Sequence, residues 1–190
     1  VSGKLIIICA PSGAGKTTIV RHILENIPGI EFSVSATNRP QRPNEVNGVD
    51  YYFIDTESFT RKIAGNEFLE WEEVYPGTFY GTLKNEIDRI WNRGNHVIFD
   101  VDVEGGLNIK RHFGERALLV FVRPPSIEAL KQRLLTRATE TEKSYNTRVA
   151  KAEREMEFEK FADYVLINDK LQQTLPEAIR MTENFLFQEQ

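Results

Sequence analysis

The stretch Leu5-Ile6-Ile7-Ile8-Cys9-Ala10-Pro11-Ser12-Gly13-Ala14-Gly15-Lys16-Thr17-Thr18 decides the fold. Its spacing predicts a buried strand, a loop that cradles phosphate, and a helix. Glycine lets the backbone wrap an anion closely, with N–H groups pointing inward. Lys16 would bring a point charge to the β and γ phosphates, and the Thr17 hydroxyl would hold Mg²⁺. The helix behind them aims its positive end at the same anion. The residues Ala10, Pro11, Ser12, Gly13, Ala14, Gly15, Lys16, Thr17 and Thr18 therefore form a candidate nucleotide-phosphate site. The strict motif has Gly where this chain has Ala10; a wider form accepts Ala.

Working outward, three more apolar runs read as buried parallel strands: Val97–Val101, Ala117–Val122 and Tyr164–Ile167. Such runs suit a sheet covered by helices on both faces. Helical patterns fall at Thr17–Asn26, Leu83–Arg93, Leu107–His112, Ile127–Arg137 and Leu175–Gln188. This alternation predicts a three-layer α/β fold with a parallel core sheet. Two segments break the rhythm. Residues 32–82, rich in Tyr, Phe, Asn, Gly and Pro, read as an inserted mixed α/β lobe with hairpins. Residues 126–155, dominated by charge, read as a helical hairpin, with Thr139 and Glu142 as a capping box. The expected organisation is one domain over residues 1–190. Its core is 1–31, 83–125 and 156–190, its lobe 32–82, and its lid 126–155.

The chain has 190 residues, 41% hydrophobic and 27% charged, with a formal net charge of −4. That composition supports a sizeable core and argues against broad binding to nucleic acid or anionic membranes. The one cysteine, Cys9, cannot form an internal disulfide and reads as a packing residue. No apolar run approaches a membrane span, and no signal peptide is read at the N-terminus, so cytoplasm is the expected location. The three histidines lack metal-ligand spacing.

Further motifs follow in order: Ser35-Ala36-Thr37-Asn38-Arg39-Pro40-Gln41-Arg42-Pro43, Glu45-Val46-Asn47-Gly48-Val49-Asp50-Tyr51-Tyr52-Phe53, Glu67-Phe68-Leu69-Glu70-Trp71, Tyr80-Gly81-Thr82, Asp100-Val101-Asp102, Arg133, Arg137-Ala138-Thr139-Glu140-Thr141, Arg148 and Asn168-Asp169. Behind a phosphate loop, this series resembles guanylate kinase over nearly the whole chain. Departures are few. Ala10 and Ala138 replace a common Gly, Asn38 a common Thr, and Thr82 a Ser; Pro40 falls one place early. The resemblance implies a P-loop kinase with an acceptor-binding lobe and a helical lid. It would transfer the γ-phosphoryl group of ATP to GMP with Mg²⁺. Oligomeric state stays open.

Arg39 and Arg42, three apart, can fork onto one phosphate, or form an exposed basic turn. The resemblance makes that phosphate the acceptor's, helped by Ser35, Tyr51 and Tyr80, with Glu45 orienting an arginine. Glu70 suits guanine: its carboxylate accepts from N1–H and the 2-amino group side by side, whereas adenine offers an acceptor there. The bland alternative is a solvated strand acid. The resemblance adds Thr82 on the base. Asp100 and Asp102 end a strand, where open α/β sheets meet ligands. Asp100 would steer Mg²⁺ through water, and both are expected on the acceptor side; Asp102 also reads as a helix N-cap. Arg133, Arg137 and Arg148 are expected as lid cations that neutralise the group in transfer, or else sit on a solvated helix. The resemblance sets Asn168 and Asp169 near the ATP adenine. Two other readings remain. One is a kinase of a different phosphorylated acceptor; the other is a non-catalytic phosphopeptide-binding module of this fold, which Lys16, Thr17, Arg133 and Arg148 disfavour.

Overall fold

The structure, a computed structural model, describes residues 3–136 and 142–187. Arg137, Ala138 and the expected cap Thr139 lie outside them. A five-stranded sheet has the order β2-β7-β1-β8-β9, built from β1 (Leu5–Cys9), β2 (Ile30–Phe32), β7 (His96–Val101), β8 (Ala117–Arg123) and β9 (Tyr164–Ile167). The pairs β1–β8, β2–β7 and β8–β9 are parallel. A second, mixed sheet has the order β4-β3-β6-β5, from β3 (Ala36–Thr37), β4 (Tyr52–Phe53), β5 (Phe68–Tyr75) and β6 (Thr78–Leu83). The α/β class with a parallel core sheet and a separate mixed sheet is thus as the sequence implies.

Contacts group the chain into two compact units, one built on Gly29–Phe99 and the other on Lys4–Pro28 with Asp100 onward. In the second unit, all five residues of β1 are buried. Helix α1 (Lys16–Asn26) buries Ile19, Val20 and Ile23 and stops before Pro28-Gly29. Helix α4 (Val103–Phe113) lies on β1 and β8. A Cβ on Gly106 would meet Cys9 Cβ at 3.1 Å and Ile7 and Leu119 at 3.3 Å. A side chain there would push the helix off the sheet. Just before β1, the Lys4 ammonium donates to the carbonyls of Phe185 and Leu186 at the end of α7 (Leu171–Phe187). Burial raises the Cys9 thiol pKa to about 12, so this cysteine acts as a packing group. The charged hairpin is α5 (Ile127–Thr136) and α6 (Glu142–Glu155), tied by Lys131 to Glu153 at 2.9 Å.

In the first unit, α2 (Thr56–Ala64) lies beside the mixed sheet and α3 (Lys84–Asn92) follows β6. Asp55 caps α2 by accepting from Ser58 N–H. Phe59 is the buried anchor: it stacks on Phe68 and Phe79 within a cluster that includes Ala36 and Leu83. The strand β2, of only three residues, was not expected from the sequence, and α2, with one fully buried side chain, is the helical part of the mixed lobe, whose place was not legible in the sequence. Helix α4 also starts earlier than its apolar pattern, because Asp102 caps it and Gly105-Gly106 continue the helix instead of breaking it. No described helix is long and apolar enough to cross a membrane.

Candidate active site

The phosphate loop is held open by two left-handed residues, Gly13 (φ 86°) and Gly15 (φ 97°). It closes on itself through Ala14 N–H to Pro11 O at 3.2 Å. Gly15 is the N-cap of α1 and supplies no side-chain acceptor, and the first turn of α1 carries no acid. The early N–H groups of the helix are left for an anion. Lys16 rests on the Ala10 carbonyl at 3.2 Å, 3.9 Å from Asp100 Oδ1. The Thr17 hydroxyl donates to Asp100 Oδ2 at 2.8 Å. A hydroxyl and a carboxylate meeting at the loop are hard oxygen ligands. They suit Mg²⁺, which takes one or two protein ligands and fills the rest with water and phosphate oxygens. Among the described residues, no group of three or more His, Cys, Asp or Glu side chains is placed to hold a metal ion.

The back of the loop is braced. Asn168, buried after β9, donates its amide to Ala14 O at 2.7 Å and packs against Gly15. Arg133 donates to Ala14 O at 3.4 Å and to Asn168 O at 3.0 Å. Both residues therefore touch loop backbone. Asp169 and Thr18 are exposed. Arg148 is half-buried on α6.

Asp102 has two duties. Its Oδ1 caps α4 by accepting Gly105 N–H at 2.9 Å, and its Oδ2 lies 3.6 Å from the Lys151 ammonium. Beside them stands Glu155, only 6% exposed. Burial pushes its carboxyl pKa up to about 7, against the pull of Lys151.

In the other unit, one face of the mixed sheet gathers polar groups. Glu70 lies directly opposite Thr82, and Glu72 opposite Tyr80, across β5 and β6. A bulge between Phe68 and Glu70 resets the alternation. Phe68, opposite Leu83, thus turns to the apolar cluster while Glu70 turns to the polar face. Glu70 is 9% exposed and Thr82 is 0% exposed. The Thr82 hydroxyl finds no hydrogen-bond partner among the described residues. Such an orphan is costly and marks a place where something else is meant to bond.

Arg39 is clamped on the same face. Its Nη1 and Nη2 fork onto Glu45 at 2.7 and 2.5 Å, and its Nε donates to Tyr80 OH at 3.0 Å. Its guanidinium stands 5.0 Å from the Tyr51 ring and 5.3 Å from the Phe53 ring. Tyr51 meets Tyr80 edge-on at 5.7 Å. The hydrogen bonds from Arg39 hold the Glu45 carboxyl below its usual range, and those same bonds raise Arg39. Glu45 Oε2 also accepts from Arg42 N–H at 2.9 Å. The Arg42 side chain itself is exposed. Ser35 is buried, and its carbonyl accepts Tyr52 N–H.

A profile of guanylate kinases matches residues 2–184. The chain belongs to the guanylate kinase family. It is 48% identical over 183 residues to the guanylate kinase of Bacteroides fragilis, covering 96% of this chain and 90% of that one. It is 47% identical over 189 residues to the guanylate kinase of Bacteroides thetaiotaomicron, covering 100% and 93%. Among solved structures, the guanylate kinase from Anaplasma phagocytophilum matches with TM-score 0.78 and 25% identity, over 98% of this chain and 88% of that one.

For a guanylate kinase family member, sequence reasoning missed two charged residues beside the site, Lys151 and Glu155. Spacing shows them one helical turn apart, but the burial of Glu155 depends on tertiary packing. It also missed the support under the lobe. Tyr52 OH donates to the buried Glu86, which pairs with Arg89, and Arg89 reaches Glu31 at 2.8 Å. That network ties β4, and hence Tyr51 and Phe53, to α3 and β2.

Proposed function

We propose that this chain transfers the γ-phosphoryl group of ATP to GMP, giving ADP and GDP, with Mg²⁺ held at Thr17 and, through water, Asp100. The observation that carries the reading is the buried pair of Glu70 and Thr82, with its unspent hydroxyl. A carboxylate beside a hydroxyl matches the guanine edge, where N1–H and the 2-amino group both donate. Adenine would confront the carboxylate with a lone pair and leave it unpaired, a mismatch worth about 10⁴–10⁵-fold.

The phosphate loop takes the ATP phosphates, with Lys16 swinging from the Ala10 carbonyl to the β and γ oxygens. Asn168 acts chiefly as a loop brace. Arg39 is pre-set by Glu45 and the aromatic rings, so little ordering cost falls on GMP when its phosphate arrives. Arg42 supplies the flexible second cation. The acceptor is already an anion, so no strong base is needed. An acceptor phosphate oxygen attacks the γ phosphorus, the bond to the β–γ bridging oxygen breaks, and ADP leaves. Bound Mg²⁺ would screen phosphate charge. The protein's share is alignment and charge neutralisation by Lys16, Arg133, Arg137 and Arg148. The cytoplasm, which holds both nucleotides and keeps Cys9 reduced, is the proposed location.

A coupled assay of ADP release, with ATP, Mg²⁺ and each nucleoside monophosphate in turn, tests this. GMP should stimulate ATP consumption far above AMP, UMP or CMP. Absence of GMP stimulation overturns the reading; equal use of AMP overturns the role of Glu70.

A further inference from the structure

Asp102 presents a conflict. The acceptor reading needs one of its oxygens, yet both are engaged: Oδ1 by the Gly105 N–H and Oδ2 by the Lys151 ammonium at 3.6 Å. The same ammonium lies 3.5 Å from Glu155 Oε1, one turn further along α6. Lys151 therefore sits between two carboxylates. Asp102 opens α4, and Glu155 is buried at the end of the lid helix. A carboxylate in so closed a place is expensive unless it is paired, and its partner is this ammonium. The charged and titratable groups that act on it are Lys151 on its own helix, Asp102 before α4, Lys16 at the start of α1 and the Cys9 thiol on β1.

We propose that Glu155 is a positioning residue for the acceptor: its carboxylate gives the Lys151 ammonium a second seat, drawing it off Asp102 so that Oδ2 can be presented to GMP. The inference rests on the guanylate kinase reading and on Asp102 serving the acceptor. A purely structural i,i+4 pair on α6 would predict something different, a small contribution to helix stability and no selective effect on one substrate.

Epistasis separates the two accounts. Glu155→Gln keeps the shape and removes the second seat, so Lys151 settles on Asp102. KM for GMP should rise about fivefold or more, as expected when a charged contact is masked, while KM for ATP moves less than about twofold. Adding Lys151→Met to that variant should return KM for GMP to within about twofold of wild type, because no ammonium then lies over Asp102 Oδ2. Lys151→Met alone should lower KM for GMP by about two- to threefold. The Glu155→Gln effect should also vanish at about pH 6, where the native carboxyl is itself neutral, and be full at about pH 8. Ionisation of the GMP phosphate cancels in the ratio of variant to wild type. A double variant as impaired as Glu155→Gln, or a Lys151→Met enzyme with raised KM for GMP, overturns the proposal. If Glu155→Gln does not fold, the Lys151→Met result alone decides it. Wild-type enzyme that ignores GMP would instead overturn the underlying kinase reading.

Discussion

Replacing Thr82 by valine should make the free protein more stable and the acceptor site worse, two effects of opposite sign from one atom. The two side chains share their shape and their branching at Cβ, so packing and strand preference change little. What changes is the hydroxyl, which is wholly buried and lacks a partner among the described residues. An unpaired buried polar group costs about 1–3 kcal/mol. Taking the lower half of that range, valine should add about 1–2 kcal/mol. At roughly 2–4 °C per kcal/mol for a chain of this size, Tm should rise by about 2–8 °C. If guanine is what satisfies the hydroxyl, valine also loses one hydrogen bond to the ligand. KM for GMP should then rise by about 3- to 10-fold, with KM for ATP unchanged. Thermal melting with and without saturating GMP reads both effects: the variant starts higher and gains less from the nucleotide. A lower Tm for unliganded Thr82→Val would show that the hydroxyl is already partnered in solution, and the argument for a waiting group would fail.

Three other outcomes follow from the same geometry. Glu155→Gln should stabilise the protein at alkaline pH and not at acid pH. The native carboxyl pKa is about 7 against 4.5 unfolded, so the wild type loses stability as pH rises from about 4.5 to about 7, by about 3 kcal/mol in total. Calorimetry at about pH 5 and about pH 8 should show the two proteins converging at the former and diverging at the latter; parallel curves would refute the buried-acid account. Glu70→Ala should raise KM for GMP by on the order of 100-fold while leaving ATP binding intact, with steady-state kinetics as the check and unchanged GMP kinetics as the refutation. Arg133→Ala should cut kcat by on the order of 10³-fold with little change in GMP affinity. It should also weaken ATP modestly, since Arg133 braces the loop at Ala14 and Asn168; wild-type turnover would remove this arginine from the chemistry.

The parts of the fold that could be read in the sequence are those where burial is periodic or total. The run Leu5–Cys9 is apolar on both faces, and its strand has those bounds. Tyr164–Ile167 also keeps its bounds, but it is not the buried strand expected: at the sheet edge beside β8, it leaves Val165 and Ile167 exposed. Elements that owe their existence to partners left little trace. Ile30–Phe32 is too short to show a period and is a strand because β7 pairs with it. Helix α2 rests on one buried phenylalanine and an Asp55 cap. For the candidate site, the chain displays which residues carry charge but not which of their atoms are already spent. Arg39 reads as a phosphate fork, yet in the fold its fork grips Glu45. Asp102 reads as either cap or ligand, and its two oxygens divide between a cap and Lys151. Asn168 is set near the ATP adenine by resemblance, yet its amide reaches across 154 positions to brace the loop. Such commitments depend on neighbours distant in the chain, where local pattern carries no signal.

The irregularity at Leu69 has an evolutionary corollary. By changing frame between Phe68 and Glu70, β5 carries two messages on one ribbon, and each can be edited without garbling the other. Drift in the greasy partners of Phe68 leaves base choice alone, and a lineage could retune its preferred nucleobase at Glu70 without rebuilding the lobe. Straightening the ribbon with Leu69 kept would be another matter: Phe68 and Glu70, two positions apart, would then share one face, forcing either the acid into the oil or the ring into the water.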